Sequence, residues 1–221
     1  IANHLGNIEI EMDKKDEGFV SMNFDFSEEQ NLLREQARRF LAENAGGKAR
    51  SIIEGDALFD RDLWRGMAEL GWMGTVIPEE YGGIGLSHED LCVIAEEIGR
   101  SIAPTPFSSS VYLATEALLL AGSDEQKEDF LPRIASGEII GCFAHNEGTR
   151  KPATESIETI YTDGKLTGEK NPVADGGVAD FAVVLAKTPD GEPVLTLSLL
   201  DDVASETLET VDPSRSHARL R

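Results

Sequence analysis

Between Glu69 and Leu86 the chain reads Glu-Leu-Gly-Trp-Met-Gly-Thr-Val-Ile-Pro-Glu-Glu-Tyr-Gly-Gly-Ile-Gly-Leu. No regular element runs unbroken through such a stretch. A helix ends at Gly71 and a short apolar run follows. Pro78-Glu79-Glu80-Tyr81-Gly82-Gly83 then turns the chain toward another helix. Glycine tolerates positive φ and close backbone approach, so Gly82, Gly83 and Gly85 predict a tight connection between two helices.

Helices are legible on both sides of that turn. Ser27-Glu28-Glu29-Gln30 is a capping-box pattern, and Leu33, Ala37, Phe40 and Leu41 recur on one helical face until Gly46-Gly47. A second helix is predicted from Asp60 to Leu70, with Leu63, Met67 and Leu70 on one side. Ser87-His88-Glu89-Asp90 caps a third, whose face is Leu91, Ile94, Ala95 and Ile98 and which Ala103-Pro104 closes. Val111 to Ala121 is a fourth, almost wholly apolar and so expected to be buried. Ser123-Asp124-Glu125-Gln126 caps a fifth, with Phe130, Leu131 and Ile134 facing inward. Trp64 and Trp72 are expected in the helical core, Trp72 beneath the glycine-rich turn.

After Gly137 the pattern becomes one of strands. Ile139–Ala144 is a short apolar run, and Glu155–Tyr161 is rich in β-branched residues. Thr162-Asp163-Gly164-Lys165 reads as a hairpin turn. Phe181–Ala186 and Val194–Leu200 are further strands joined through Pro189-Asp190-Gly191-Glu192. Helices first and strands second argue for an α+β chain: an all-helical domain at residues 22–137, then an antiparallel β-barrel or sandwich-like domain at 138–221. Residues 1–21 read as a polar, acidic leader that stands outside the fold, with Met22 opening the regular part. No G-x-G-x-x-G opens a helix after a strand, so a dinucleotide-binding doubly wound sheet has no support.

Composition narrows the functions. The 221 residues carry 20 Lys plus Arg against 41 Asp plus Glu, a net charge of −21. Such a surface repels nucleic-acid phosphates and excludes a nucleic-acid role. An anionic ligand would need a local basic patch. No apolar run reaches the roughly 18–20 residues of a bilayer span, and no signal-peptide pattern is visible, so a cytoplasmic location without membrane insertion is expected. Cys92 and Cys142 lie in apolar surroundings and read as buried, reduced thiols. The four histidines, His4, His88, His145 and His217, show no metal-ligand spacing.

The turn Pro78-Glu79-Glu80-Tyr81-Gly82-Gly83-Ile84-Gly85-Leu86 resembles the helical N-terminal domain of the acyl-CoA dehydrogenases. Gly122-Ser123-Asp124-Glu125-Gln126-Lys127 through Leu131-Pro132 and Ser136-Gly137-Glu138 resembles that family's link into its first strand. Leu166-Thr167-Gly168-Glu169-Lys170 with Ala179–Val184 resembles its central β region, and Asp212-Pro213-Ser214-Arg215-Ser216-His217-Ala218 a later β segment. The likeness covers about residues 23–221. It implies an FAD-dependent oxidoreductase that removes hydrogens from the α and β carbons of an acyl-CoA thioester, passes electrons to an acceptor protein, and works as a homo- or hetero-oligomer. In the family the general base is usually a glutamate on a C-terminal helical bundle, which these residues do not include. No catalytic residue is therefore nominated, and Glu79, Glu80, Glu96 and Glu97 are expected on the solvated surface. Without such a bundle the apolar face of Val111–Ala121 is expected to be uncovered and to drive association.

The same resemblance points to the cofactor contacts. The family's first strand runs into Thr-Glu-Pro; here Phe143-Ala144-His145 leads to Asn146, Glu147 and Gly148. The family's Trp-Ile-Thr-Asn run is matched by Pro172-Val173-Ala174-Asp175. Phe143, His145, Asn146, Glu147, Pro172 and Ala174 are thus the candidate FAD-binding residues. Arg150 and Lys151 are the candidates for a CoA phosphate, rated above the terminal cluster Arg215, His217, Arg219 and Arg221. An indole is worth about 0.5–1.5 kcal/mol beyond its area and a hydroxyl bond about as much. Losing both costs about one to two decades of flavin affinity. Asp175 is expected to bring a negative charge toward the flavin. Three readings stay open: a working dehydrogenase, a non-catalytic or degenerate partner subunit of one, and an acidic binding protein that shares only the shape.

Overall fold

The computed structural model describes residues 25–148 and 154–221. The proposed leader, Arg150 and Lys151 lie outside the described residues.

Three helices begin where the capping patterns place them. Helix α1 (Glu28–Asn44), α4 (His88–Arg100) and α6 (Asp124–Ala135) start from Ser27, Ser87 and Ser123, each in a reciprocal bond with the residue three further on. Two first-turn backbone donors are satisfied at each end. Helix α3 (Arg61–Glu69) is capped by Asp60, which accepts from the Leu63 amide. A short helix α2 (Lys48–Glu54) was not predicted. Gly47, at φ 75°, ends α1 and lets the chain restart at once, and Lys48 is fixed by Asp60 at 2.7 Å. Helices α1 and α4 pack side by side, clipped by a carboxylate that the sequence reading placed at the surface. Glu97 is 0 % exposed and holds Arg38 bidentately at 2.8 and 3.1 Å.

The glycine-rich stretch forms the expected tight turn. Gly82 and Gly85 adopt φ 77° and 69°. The amides of Ile84, Gly85 and Leu86 bond back to the carbonyls of Gly74, Ile77 and Thr75. Trp72 is buried and meets Phe40 edge-on at 5.4 Å. A Cβ on Gly83 would collide with the Ile77 carbonyl. Backbone cannot yield there as a flexible side chain would, so Gly83→Ala is expected to cost about 1–3 kcal/mol, read as a fall in the urea midpoint at unchanged slope.

The predicted fourth helix departs from expectation in two ways. A π-helical turn, Ser108–Ala114, precedes α5 (Thr115–Ala121). Val111, Ala114 and Leu118 are buried, but Leu113 is exposed and Leu120 is 83 % exposed. One side rests on α6 and the sheet, and the other is bare.

Among the described residues eight strands follow: β1 (Gly141–Ala144), β2 (Ile160–Thr162), β3 (Lys165–Thr167), β4 (Lys170–Ala174), β5 (Phe181–Lys187), β6 (Pro193–Leu199), β7 (Ser205–Thr207) and β8 (His217–Leu220). One sheet runs β1-β5-β2-β3 with β6 also on β5; the other runs β4-β8-β7. The purely antiparallel expectation is corrected. Strand β1 pairs parallel to β5, Cys142 opposite Ala182, and β2 meets the end of β5 in parallel through Ile160 and Lys187. Between β1 and β5 the chain forms β2 and β3 of the same sheet and then β4 of the other, and β5 returns beside β1 in the same sense. The hairpin β2–β3 turns on Asp163 and Gly164, at φ 50° and 76°, the double left-handed turn expected of such a dipeptide. The strand predicted over Glu155–Tyr161 is confined to β2 and is preceded by a 3-10 turn, Thr154–Ser156.

The helical and β parts share a core. Ile77, Ala114, Leu118, Leu131 and Ile134 pack on Phe181 and Val183 of β5. Cys142 is buried, and burial, with the Asp175 charge adding to it, pushes its thiol up to about 12. Cys92 is exposed on α4, contrary to expectation. No helix among the described residues is long and apolar enough to cross a membrane.

Candidate functional site

The two segments singled out by sequence are brought together. Beyond β1 the chain runs beside the start of β4. The Asn171 amide bonds the Asn146 carbonyl at 2.9 Å, and the Gly148 amide bonds the Asn171 carbonyl at 2.6 Å. A parallel bridge joins Glu147 to Asn171. Phe143, His145 and Asn146 therefore lie next to Pro172 and Ala174 on one partly open shelf. The Phe143 and His145 rings lie 5.3 Å apart, tilted by 36°. His145 Nδ1 is buried without a hydrogen-bond partner. Among the described residues the Asn146 side-chain amide is held only by a 3.5 Å contact with the Pro172 carbonyl.

Glu147 turns inward. Its Oε1 accepts from Lys170 Nζ at 2.6 Å, from Thr159 Oγ1 at 2.6 Å and from the Thr159 amide at 2.9 Å; Oε2 accepts from the Glu158 amide at 2.6 Å. These bonds occupy the amides of Glu158 and Thr159, which is why the predicted strand begins only at Ile160. Burial favours the neutral acid, but Lys170, the Thr159 hydroxyl and the two amides together outweigh it and hold the carboxyl at about 2. Lys170 is 4 % exposed, and burial lowers its ammonium more than Glu147 offsets. The two directions agree physically: the carboxylate has four donors, the ammonium a single partner. Glu147 thus fixes the loop carrying His145 and Asn146 against β4, and its own oxygens are committed internally.

Asp175 does not bring charge to the shelf. At φ 56° its carboxylate turns toward the helices and is 2 % exposed. It accepts from Ser109 Oγ at 2.6 Å, from an Arg215 guanidinium nitrogen at 2.9 Å and from Ser216 Oγ at 3.3 Å. The same Arg215 nitrogen donates to Ser108 Oγ at 2.7 Å, and Ser110 Oγ accepts from the Gly141 amide at 3.2 Å. Three successive serines of the π-helical turn thus each grip a different piece of the β part. The sequence reading missed this clasp. Its signal was three polar residues opening a run otherwise patterned for burial.

The arginines of the terminal basic cluster are committed to acids, Arg215 to Asp175 as above. Arg219 pairs with Glu169 at 3.1 Å and Glu206 at 2.8 Å, and Arg221 with Glu169 at 2.7 Å. Among the described residues no group of three or more His, Cys, Asp or Glu is placed to hold a metal.

Comparison with known proteins agrees with this architecture. Residues 27–138 match the family described as "Acyl-CoA dehydrogenase, N-terminal domain". Mitochondrial isovaleryl-CoA dehydrogenase of Pongo abelii is 32% identical over 170 residues, covering 73% of this chain and 40% of the relative. An acyl-CoA dehydrogenase from Bacillus anthracis, solved as a complex with FAD, superposes with a TM-score of 0.77 at 27% identity, over 89% of this chain and 35% of that one. The ChsE4-ChsE5 complex from Mycobacterium tuberculosis gives 0.79 at 27% identity, over 90% of this chain and 55% of that one. The chain therefore spans about half the length, or less, of these relatives. Its matched helical region, its β domain and its relatives together make it a member of the acyl-CoA dehydrogenase family.

Proposed function

We propose that this chain forms the N-terminal and middle parts of an FAD-dependent acyl-CoA dehydrogenase, with the shelf of Phe143, His145, Asn146, Pro172 and Ala174 as the seat of the isoalloxazine. The observation that carries the reading is the juxtaposition of the β1 end and β4, which leaves a partly open surface with two under-used polar groups. The Asn146 amide is weakly held and free to bond a flavin heteroatom, while His145 Nδ1, buried without a partner among the described residues, would reach one by a turn of its ring. A buried polar atom left unpaired is costly, and a polar ring edge placed there would satisfy it. Bound FAD would supply the hydride acceptor. The chain's own residues bind and orient: Phe143 and Pro172 offer apolar contact, while Glu147 and Lys170 hold the shelf rigid from behind. An acyl-CoA substrate, an electron-acceptor protein and an oligomeric assembly in the cytoplasm complete the proposal. Arg150 and Lys151 are its candidate CoA-phosphate contacts.

A second reading is favoured by one observation. Pro172 has no N–H and Ala174 no hydroxyl, which suits a partner subunit with weakened flavin binding. Titration with FAD followed by desalting separates the two. A retained yellow species is expected, and Ala174→Thr should tighten FAD by about three- to tenfold. Colourless protein from both forms overturns the flavin reading and selects the partner subunit.

A further inference from the structure

A cavity that shares no lining residue with the shelf lies between the two sheets. It measures about 330 Å³, at the lower end of the range of about 300–1,000 Å³ typical of small-ligand sites. It is the open end of the inter-sheet core. Ala144, Val184 and Leu220, which pack against Leu166, form its apolar floor. Strand β6 contributes Thr196, Leu197 and Ser198 to its lining, while Leu195 and Leu199 stand exposed. The hairpin β2–β3 overhangs it, contributing Tyr161 and Lys165.

Charge gives the cavity a direction. At its inner end Lys170 is already neutralised by Glu147 at 2.6 Å. At its rim Arg221 is held by Glu169, and Glu206 by Arg219. Lys165 remains, with no carboxylate partner among the described residues; Asp163, in the adjoining turn, is exposed. No Asp or Glu is among the described residues that line the cavity, so its charge is set by Lys165. A ligand with an apolar body and one negative end would bury the first and meet the second.

We propose that this cavity binds a small amphipathic carboxylate, its chain on Val184, Leu166 and Leu220 and its head at Lys165. The site is separate from the flavin shelf and does not depend on it. Isothermal titration of the 221-residue chain with octanoate is expected to give saturable one-to-one binding. Ser198→Trp places an indole in the hollow and should weaken binding at least about tenfold. Lys165→Ala should weaken octanoate about fivefold while leaving the neutral 1-octanol unchanged. Methyl chemical shifts of Leu166, Val184 and Leu220 in the unsubstituted protein should move with octanoate, which keeps the test decisive if Ser198→Trp fails to fold. No saturable heat, or shifts confined to Leu113, Leu120 and Leu199, overturns the proposal. Ser198→Trp should leave the FAD titration unchanged, so failure of one site is distinguishable from failure of the other.

Discussion

Glu147→Ala is expected to lower folding stability by about 3–5 kcal/mol, the range for breaking a buried pair from one side. The substitution strands Lys170 in a position only 4 % exposed and leaves the Glu158 and Thr159 amides without their acceptor. That is a large share of the roughly 5–15 kcal/mol that holds a domain together. For a chain of this size it should appear as a thermal midpoint about 10 °C lower. The double variant Glu147→Ala/Lys170→Met should recover much of the loss, because the uncompensated charge is gone. An equal loss in both variants would mean that the charge pair is not the cause. The carboxyl also imposes a pH dependence. Its folded value, about 2, lies below the ordinary 4.5, so its stabilisation is fully present above about pH 4.5. It is lost progressively as pH falls toward and through about 2. Glu147→Gln should flatten that part of the acid-unfolding curve.

Asp175→Ala is expected to cost about 2–4 kcal/mol. Ser109 loses its acceptor inside the structure, Arg215 loses its counter-ion, and alanine must adopt a left-handed backbone that disfavours it. Asp175→Asn should cost only about 1 kcal/mol: the amide still accepts from Ser109, asparagine tolerates the left-handed region, and the partly exposed Arg215 can rehydrate. Trp64 and Trp72 both report on the helical part. In Asp175→Ala their fluorescence should lose coincidence with far-UV circular dichroism during urea unfolding, as the two parts cease to melt together. Coincident curves with an unchanged midpoint would remove the clasp from any role in holding the parts together.

The legible elements were those whose signals are local. Ser27, Ser87 and Ser123 announced their helices because a cap is made within four residues. Asp163-Gly164 announced its hairpin because the turn demands two left-handed residues. What escaped depends on residues far apart in sequence. Glu97 looks like any helical glutamate until Arg38, 59 residues away, is seen to enclose it. The parallel pairing of β1 and β5 leaves no trace in alternation, which is the same for either strand sense. At the candidate site, the resemblance brought Asn146 and Pro172 under suspicion, and the bridge from Glu147 to Asn171 placed them side by side. The resemblance could not reveal that Asp175 faces the helices, since its direction follows from a backbone angle and from a bond to Ser109, 66 positions away.

The serines of the clasp also constrain how the chain can change length. Ser108, Ser109 and Ser110 meet three separate partners from one widened turn. Deleting or inserting a single residue between Phe107 and Leu118 would rotate the hydroxyls by about 100° and disengage all three at once. The loop Thr188–Glu192, closed by its own bonds at the far end of β5 and β6, answers to no such partners and can absorb added residues freely.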